Sequence, residues 1–240
     1  NLSTVRLPRV GGREKLAVAI LSAAFLVPCF FRGTTPLHLL SPVEGGVWVD
    51  EAERVLAGEV MYRDFFEFIP PGIVYLNAAA LAVFGRRTAT LGVLHVALGV
   101  ALALVVHALS IRLIASRWRF LPAASFLVLL YVSYSPGNHK WPALLCGIAA
   151  LVVLVDSARP RASFGAGLLL GASALFTLDF GAGLAAGAMA AVLAQPADGR
   201  VRRAVSLAAG CLAAVAPVVV AFALLAGART IAYDWVVFPL

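Results

Sequence analysis

The chain has 240 residues, of which 62% are hydrophobic and 13% are charged, and its mean hydropathy is +0.94. These values exclude an ordinary soluble domain and predict a protein that crosses a membrane several times. The net charge is +7, with 17 arginines and two lysines. In a membrane protein such an excess indicates cytoplasmic loops beside anionic lipid, so we do not expect nucleic-acid binding.

The first predicted element is an apolar run at residues 16–31, which follows several basic residues. No small-residue cleavage pattern ends this run, so we expect an uncleaved membrane helix. Further apolar runs predict membrane helices at about 88–111, 120–135, 141–155, 162–178, 180–195 and 204–227. The expected fold is all-α: a polytopic transmembrane helix bundle with a large outer first loop at about 32–87. We expect residues 1–240 to form a single transmembrane domain, the N-terminal part of a longer protein.

Residues 71–84 leave the topology open, because a helix of this length reaches only about 21 Å and a bilayer core is about 30 Å thick. If they do not span, 12 of the 19 basic side chains lie inside; if they span, only 8 do. The positive-inside rule therefore favours the first arrangement. It predicts that four segments lie together on the outer, periplasmic side of the cell inner membrane: residues 33–87, the "SPGNHK" turn, Asp179 and the segment from residue 228 onward.

The outer loop is rich in acidic residues, since seven of the 12 in the chain fall between residues 33 and 70. Val49, Ala52 and Val55 recur at helical spacing before Gly58, which predicts an amphipathic helix at the membrane surface. Asp50 has two interpretations at this stage. It is the N-cap of that helix, with Glu53 three positions later as in a capping box, or it is a functional carboxylate.

The order of motifs in this loop resembles the GT-C glycosyltransferases, in particular the branch of protein O-mannosyltransferases and the aminoarabinose transferase of lipid A. The matching motifs are Asp50-Glu51, Gly58, Tyr62-Arg63-Asp64, Pro70-Pro71-Gly72, Tyr75-Leu76 and Phe84-Gly85. The resemblance covers about residues 10–160. It implies a GT-C type bundle that transfers a sugar from a polyprenyl-phosphate donor to a lipid, glycan or protein acceptor. It also implies that Asp50 is the catalytic base, with Glu51 beside it.

Family members also carry an acidic residue near the outer start of a later helix, whereas this chain has "YSPGNHKWP" there. We therefore expect contacts to the donor rather than a second carboxylate. Lys140 is a candidate phosphate ligand, although a lysine at a helix end also snorkels toward headgroups. Asp179 is costly in a membrane segment and hence a candidate, although it also suits a turn. The full set of expected substrate contacts is Tyr62, Arg63, Asn138, His139, Lys140 and Asp179.

No cofactor is expected. A divalent metal is left open but is not indicated, because the three cysteines lie in separate apolar runs without a Cys-x-x-Cys or Cys/His cluster. Two other functions remain open. A lipid or solute transporter would place polar residues and broken helices near the membrane midplane, often in a repeated pattern. A structural membrane subunit would use the acidic loop as a docking surface. Membrane lipids are partners in every case.

Overall fold

The computed structural model describes residues 11–31, 45–114, 117–134, 137–195 and 199–238. Helix accounts for 84% of this part of the chain and no strand occurs in it, which confirms the all-α class. The first part of the predicted outer loop, residues 32–44, lies outside the described residues, as do Ser135 and Pro136 of the "SPGNHK" turn.

In chain order the helices are α1 (Gly12–Phe31), α2 (Gly45–Leu56), α3 (Gly72–Phe84), α4 (Thr88–Leu113), α5 (Leu121–Ser125), α6 (Lys140–Asp156), α7 (Pro160–Phe176), α8 (Leu178–Ala194), α9 (Arg200–Phe222) and α10 (Ala228–Ala232). A 3₁₀ turn, Arg117–Phe120, leads into α5, and π-helical turns, Phe126–Tyr131, continue it. Further π-helical turns flank α10 at Ala223–Gly227 and Tyr233–Val237.

Within the part of the chain that the structure describes, three helical segments are long and apolar enough to cross a membrane: Gly12–Phe31, Thr88–Leu113 and the segment Arg200–Val237. Their presence indicates a membrane protein. The predicted runs at 141–155, 162–178 and 180–195 form α6, α7 and α8, each 17 residues long. At about 1.5 Å per residue each reaches about 25 Å, somewhat less than a typical hydrocarbon core.

Small residues bring α7, α8 and α9 into close contact. The chain leaves α7 and enters α8 with only Thr177 between them, and Gly181 packs directly on Ala174, so the two helices form a tight hairpin. A Cβ at Gly167 would lie 2.1 Å from the Leu207 carbonyl oxygen of α9. These positions are glycine because only hydrogen fits between backbones at that separation.

Larger side chains join α1, α4 and α5. Leu26 of α1 and Leu102 of α4 are fully buried, and Tyr131 lies against both helices. The Tyr131 hydroxyl donates a hydrogen bond to the His95 carbonyl oxygen at 2.6 Å. The phenol thereby fills the apolar space between the helices while its polar end stays satisfied.

Ion pairs close one end of this bundle. Glu14 of α1 accepts from both His107 of α4 (3.1 Å) and Arg119 (3.0 Å). Arg112 of α4 binds Asp156 of α6 through two contacts of 2.5 Å. We call this the basic end.

The opposite end, the site end, is formed by residues 45–87, 137–140, 177–179 and 228–238. Here Ala52 of α2 packs against Ala78 and Leu81 of α3. Both ends of α3 contact neighbouring helices. Gly72 packs on Phe176 at the end of α7, and Arg86, which follows α3, pairs with Glu53 of α2. The described parts of the four segments expected to share the outer side therefore lie at one end of the fold. Which side of the membrane they face stays a prediction.

Cysteine labelling tests that side. Ala57 at the site end is exposed, and Val201 near the start of α9 is 63% exposed. We expect Ala57→Cys to react with an impermeant maleimide added to intact spheroplasts, and Val201→Cys to react only after permeabilisation. The wild-type chain, with its native cysteines, gives the background. The reverse pattern would contradict the predicted orientation.

A pair of glycines in α7 tests the helix packing. We expect Gly167→Ala to lower the free energy of unfolding by about 1–3 kcal/mol, because its Cβ would overlap α9. Gly165→Ala is the matched control, since nothing lies within 4 Å of the added Cβ and alanine favours helix by about 0.5–1 kcal/mol. Thermal unfolding in detergent measures both, and equal midpoints for the two variants would refute the close approach.

Candidate functional site

A cavity of about 550 Å³ opens at the site end, between four separate stretches of the chain. One wall is Phe68–Pro70 and another is Trp235 with Val236. The polar lining comes from two helix starts, where α6 and α8 begin. The lining residues are Phe68, Ile69, Pro70, His139, Lys140, Thr177, Leu178, Asp179, Ala182, Trp235 and Val236.

Asn138 organises the start of α6 at the edge of this cavity. The side chain is 1% exposed, and its Oδ1 accepts a hydrogen bond from the Lys140 backbone N–H at 2.8 Å. This bond satisfies one of the free N–H groups at the helix start. His139 meets the Trp48 ring of α2 edge to face, with centroids 4.8 Å apart. The first-loop helix is thus packed onto the cavity rim.

The turn between α7 and α8 supplies the other polar lining. Asp179 lies in the first turn of α8, where the helix dipole favours a carboxylate. Thr177 is 5% exposed, and its Oγ1 has no hydrogen-bond partner among the described residues. A buried hydroxyl without a partner is costly, so this turn gains from a bound polar ligand or water.

Three carboxylates from separate parts of the site end are buried near Tyr62. Glu51 comes from α2, Glu67 from the loop before α3, and Asp234 from the C-terminal segment, and each is 3–5% exposed. All three act electrostatically on Tyr62. Burial, together with these negative charges, raises the pKa of Tyr62 far above its usual value, although its contact with Trp235 acts the other way. We call Glu51, Glu67 and Asp234 the carboxylate cluster.

Glu51 is the carboxylate of this cluster whose pKa rises far above its usual value. Burial, followed by a hydrogen bond and charge repulsion from Glu67, raises the pKa of Glu51 from 4.5 to about 9. Arg54 partly opposes this rise. At neutral pH Glu51 is therefore protonated and shares its proton with Glu67.

The carboxylate cluster is connected to the cavity through the backbone. Glu67 Oε1 accepts hydrogen bonds from the N–H groups of Phe68 (2.7 Å) and Ile69 (3.0 Å), which form one wall. Asp234 immediately precedes Trp235, which also lines the cavity. The carboxylate cluster is therefore adjacent in the chain to two parts of the lining.

Asp50 does not lie at the start of its helix, where the sequence placed it. α2 begins at Gly45, so Asp50 is the sixth helical residue and not an N-cap, and the predicted capping box is wrong. The helix thus starts further upstream than the apolar periodicity indicates, although glycines, which are poor helix formers, occupy its first two positions. Asp50 is exposed, and Arg54 pairs with Glu59 (2.6 Å). The carboxylate of Asp50 is therefore exposed to solvent and does not cap the helix.

The Tyr62-Arg63-Asp64 stretch forms a tight turn. Tyr62 has a φ of 68°, which is unusual for a bulky residue, and its hydroxyl donates to the Ile69 carbonyl oxygen at 2.7 Å. Arg63 binds Asp64 through two contacts, at 3.0 and 2.8 Å. These contacts, with the Val60 N–H, lower the pKa of Asp64 to about 2. Among the described residues this stretch serves chiefly to place Tyr62 in the core.

The predicted site residues therefore separate into groups. His139, Lys140 and Asp179 line the cavity, with Asn138 directly behind them. Glu51 and Tyr62 belong to the buried region behind the wall, and Asp50 and Arg63 lie exposed outside the lining.

Sequence reasoning missed Thr177, Glu67 and Asp234 as parts of this region. Asp234 carried a usable signal, because it is an acid within the apolar run "YDWVVFPL". Glu67 belonged to the acidic loop, but nothing in its spacing indicated burial. Among the described residues, no group of three or more His, Cys, Asp or Glu side chains is placed to hold a metal ion.

The raised pKa of Glu51 predicts how stability depends on pH. Between pH 4.5 and about 9 the native state holds a proton that the unfolded chain releases, so stability falls as pH rises through this window. We expect Glu51→Gln, which stays neutral, to flatten this decline in melting temperatures measured from pH 5 to 9. Asp50→Asn, one position away and exposed, is the control and should keep it. An unchanged decline in Glu51→Gln would refute the shared proton.

Comparison of the chain with protein families, curated proteins and solved structures finds no match. The chemistry of the cavity and the motifs of the first loop are therefore the features that bear on function.

Proposed function

We propose that the protein is an integral-membrane glycosyltransferase that takes a sugar from a polyprenyl-phosphate donor at the site end. The observation that carries this proposal is the cavity between the acidic loop and two helix starts, with Lys140 and Asp179 in one lining. A cation and a carboxylate in one cavity match the two needs of the reaction. One holds the leaving phosphate and the other contacts the sugar or the acceptor.

The donor phosphate fits the Lys140 side of the cavity. Lys140 is exposed and begins α6, where the helix dipole also attracts an anion. The His139 ring is held against Trp48, so it stays at the rim.

In the proposed reaction an acceptor hydroxyl gives its proton to a carboxylate as its oxygen attacks the anomeric carbon of the sugar. The bond between that carbon and the phosphate oxygen breaks, and the polyprenyl phosphate leaves as an anion stabilised by Lys140. The resemblance assigns the base to Asp50, which is exposed on the helix that packs on the rim. Glu51 carries a proton at neutral pH, so we assign it a supporting role. Asp179 then accepts hydrogen bonds from sugar hydroxyls.

A proton-coupled carrier is the second candidate, and the geometry of the C-terminal segment favours it. Asp234 is 3% exposed within a segment apolar enough to span a membrane, and π-helical turns interrupt that segment on both sides of α10. Buried acids and broken helices are typical of ion pathways in transporters.

An assay with lipid-linked sugar separates the two candidates. We expect purified protein in nanodiscs to transfer or hydrolyse a radiolabelled polyprenyl-phosphate hexose. Asp50→Asn should lower kcat by about 10²-fold or more, because an amide does not accept the proton. Asp179→Asn should mainly raise KM for the donor. Lys140→Ala should weaken donor use much more than Lys140→Arg, which keeps the charge.

Asp64→Asn is the control, since this carboxylate is also exposed in the first loop but bonds within its own turn. Its activity should stay near that of the wild type, provided that the yield is normal. If the wild-type protein shows no turnover but drives uptake into proteoliposomes under a pH gradient, the carrier would be the correct function and the transferase would be excluded. Wild-type rates in Asp50→Asn would show that Asp50 is not the base.

A further inference from the structure

A second cavity lies far from the site end, on the outer surface of the bundle between α1 and α5. It is a groove of about 180 Å³ with an almost entirely apolar lining. Residues one helical turn apart on each side form its walls, namely Val18, Leu21, Ser22 and Phe25 from α1 and Phe120, Ala123, Ala124, Leu127 and Val128 from the α5 region.

The groove has a defined direction, because α1 and α5 run side by side in the same sense. Glu14, near the start of α1, pairs with Arg119, which precedes α5. Toward the other end of both helices, the Phe30 and Tyr131 rings are 6.2 Å apart. The groove therefore starts at the basic end and runs toward the middle of the bundle, over about 12 Å between residues 120 and 128.

Positive charge surrounds the entrance of the groove. Arg13 and Lys15 are exposed at the start of α1, and Arg117 and Arg119 stand immediately before Phe120, which lines the groove. Glu14 is the only acid in these two stretches, and it is already shared between His107 and Arg119. Arg117 stacks on Trp118, with 5.0 Å to the ring centroid, and pairs with no described carboxylate.

We propose that this groove is a binding site for an anionic phospholipid, with one acyl chain in the groove and the phosphate against Arg117. The apolar lining matches a hydrocarbon chain, and the cationic entrance matches a headgroup of net negative charge. Trp118, which is 52% exposed, lies at the same level, as expected for a tryptophan at the bilayer interface. The site is independent of the proposed transferase reaction.

Native mass spectrometry of the protein, released from nanodiscs of equal phosphatidylglycerol and phosphatidylcholine content, tests this site. We expect one phosphatidylglycerol to be retained in preference to phosphatidylcholine. Arg117→Gln should lower this retention about fivefold, as expected for one basic group near an anionic headgroup. Arg202→Gln, another exposed arginine outside the groove, should retain the lipid.

A second pair of variants tests the acyl chain. Ala124→Phe places a ring in the groove and should displace the lipid, whereas Leu129→Phe, on an exposed position of the same segment outside the lining, should not. Melting temperatures near the wild type confirm that the variants fold. Equal retention of both lipids, or equal retention by Ala124→Phe and Leu129→Phe, would overturn the proposal and leave only loosely bound bilayer lipid.

Discussion

The burial of three carboxylates is the constraint that the packing of the site end has to satisfy. Helix α2, the loop that follows it and the C-terminal segment converge there, and each contributes a carboxylate to a region that excludes water. Three ionised carboxylates at such a place would repel one another and lose their hydration. The proton held by Glu51 removes one of these charges and provides a hydrogen bond in its place. The packing of the first loop onto the bundle thus rests on a protonation state as well as on apolar contacts.

This protonation also affects what the cavity in front of the cluster is able to bind. An anionic phosphate near Lys140 would feel the negative charges behind the wall, since the interior screens them weakly. A neutral Glu51 reduces that opposing field, while the Glu67 carboxylate is engaged with two backbone N–H groups. At the front of the cavity Lys140 and the starts of α6 and α8 then face a single exposed carboxylate among the residues that line it, that of Asp179. The acidic composition of the loop and an anionic substrate are therefore compatible.

Much of the architecture follows from sequence patterns, because apolar runs and arginine clusters report directly on helices and on the ends of a bundle. The all-α class and the grouping of the first loop with residues 137–140, Asp179 and the C-terminal segment were predicted in this way. The detail of the site was not. Val49, Ala52 and Val55 indicated the apolar face of α2, but the contact of Glu51 with Glu67 is set by tertiary packing, which helical periodicity does not show. The role of Asp50 as a cap failed because the helix begins five residues earlier, at Gly45.

The hairpin of α7 and α8 gives the two sides of the cavity different stiffness. One residue connects these helices, and Gly181 rests on the backbone of Ala174, so the edge formed by Thr177 and Asp179 moves only as part of a rigid pair of helices. The facing wall, Phe68–Pro70, belongs to a loop held by hydrogen bonds from Glu67 and Tyr62. Widening of the cavity is therefore expected at the loop and at the wall formed by Trp235 and Val236, rather than at this edge. The edge of Thr177 and Asp179 keeps its position while the rest of the lining adjusts to what is bound.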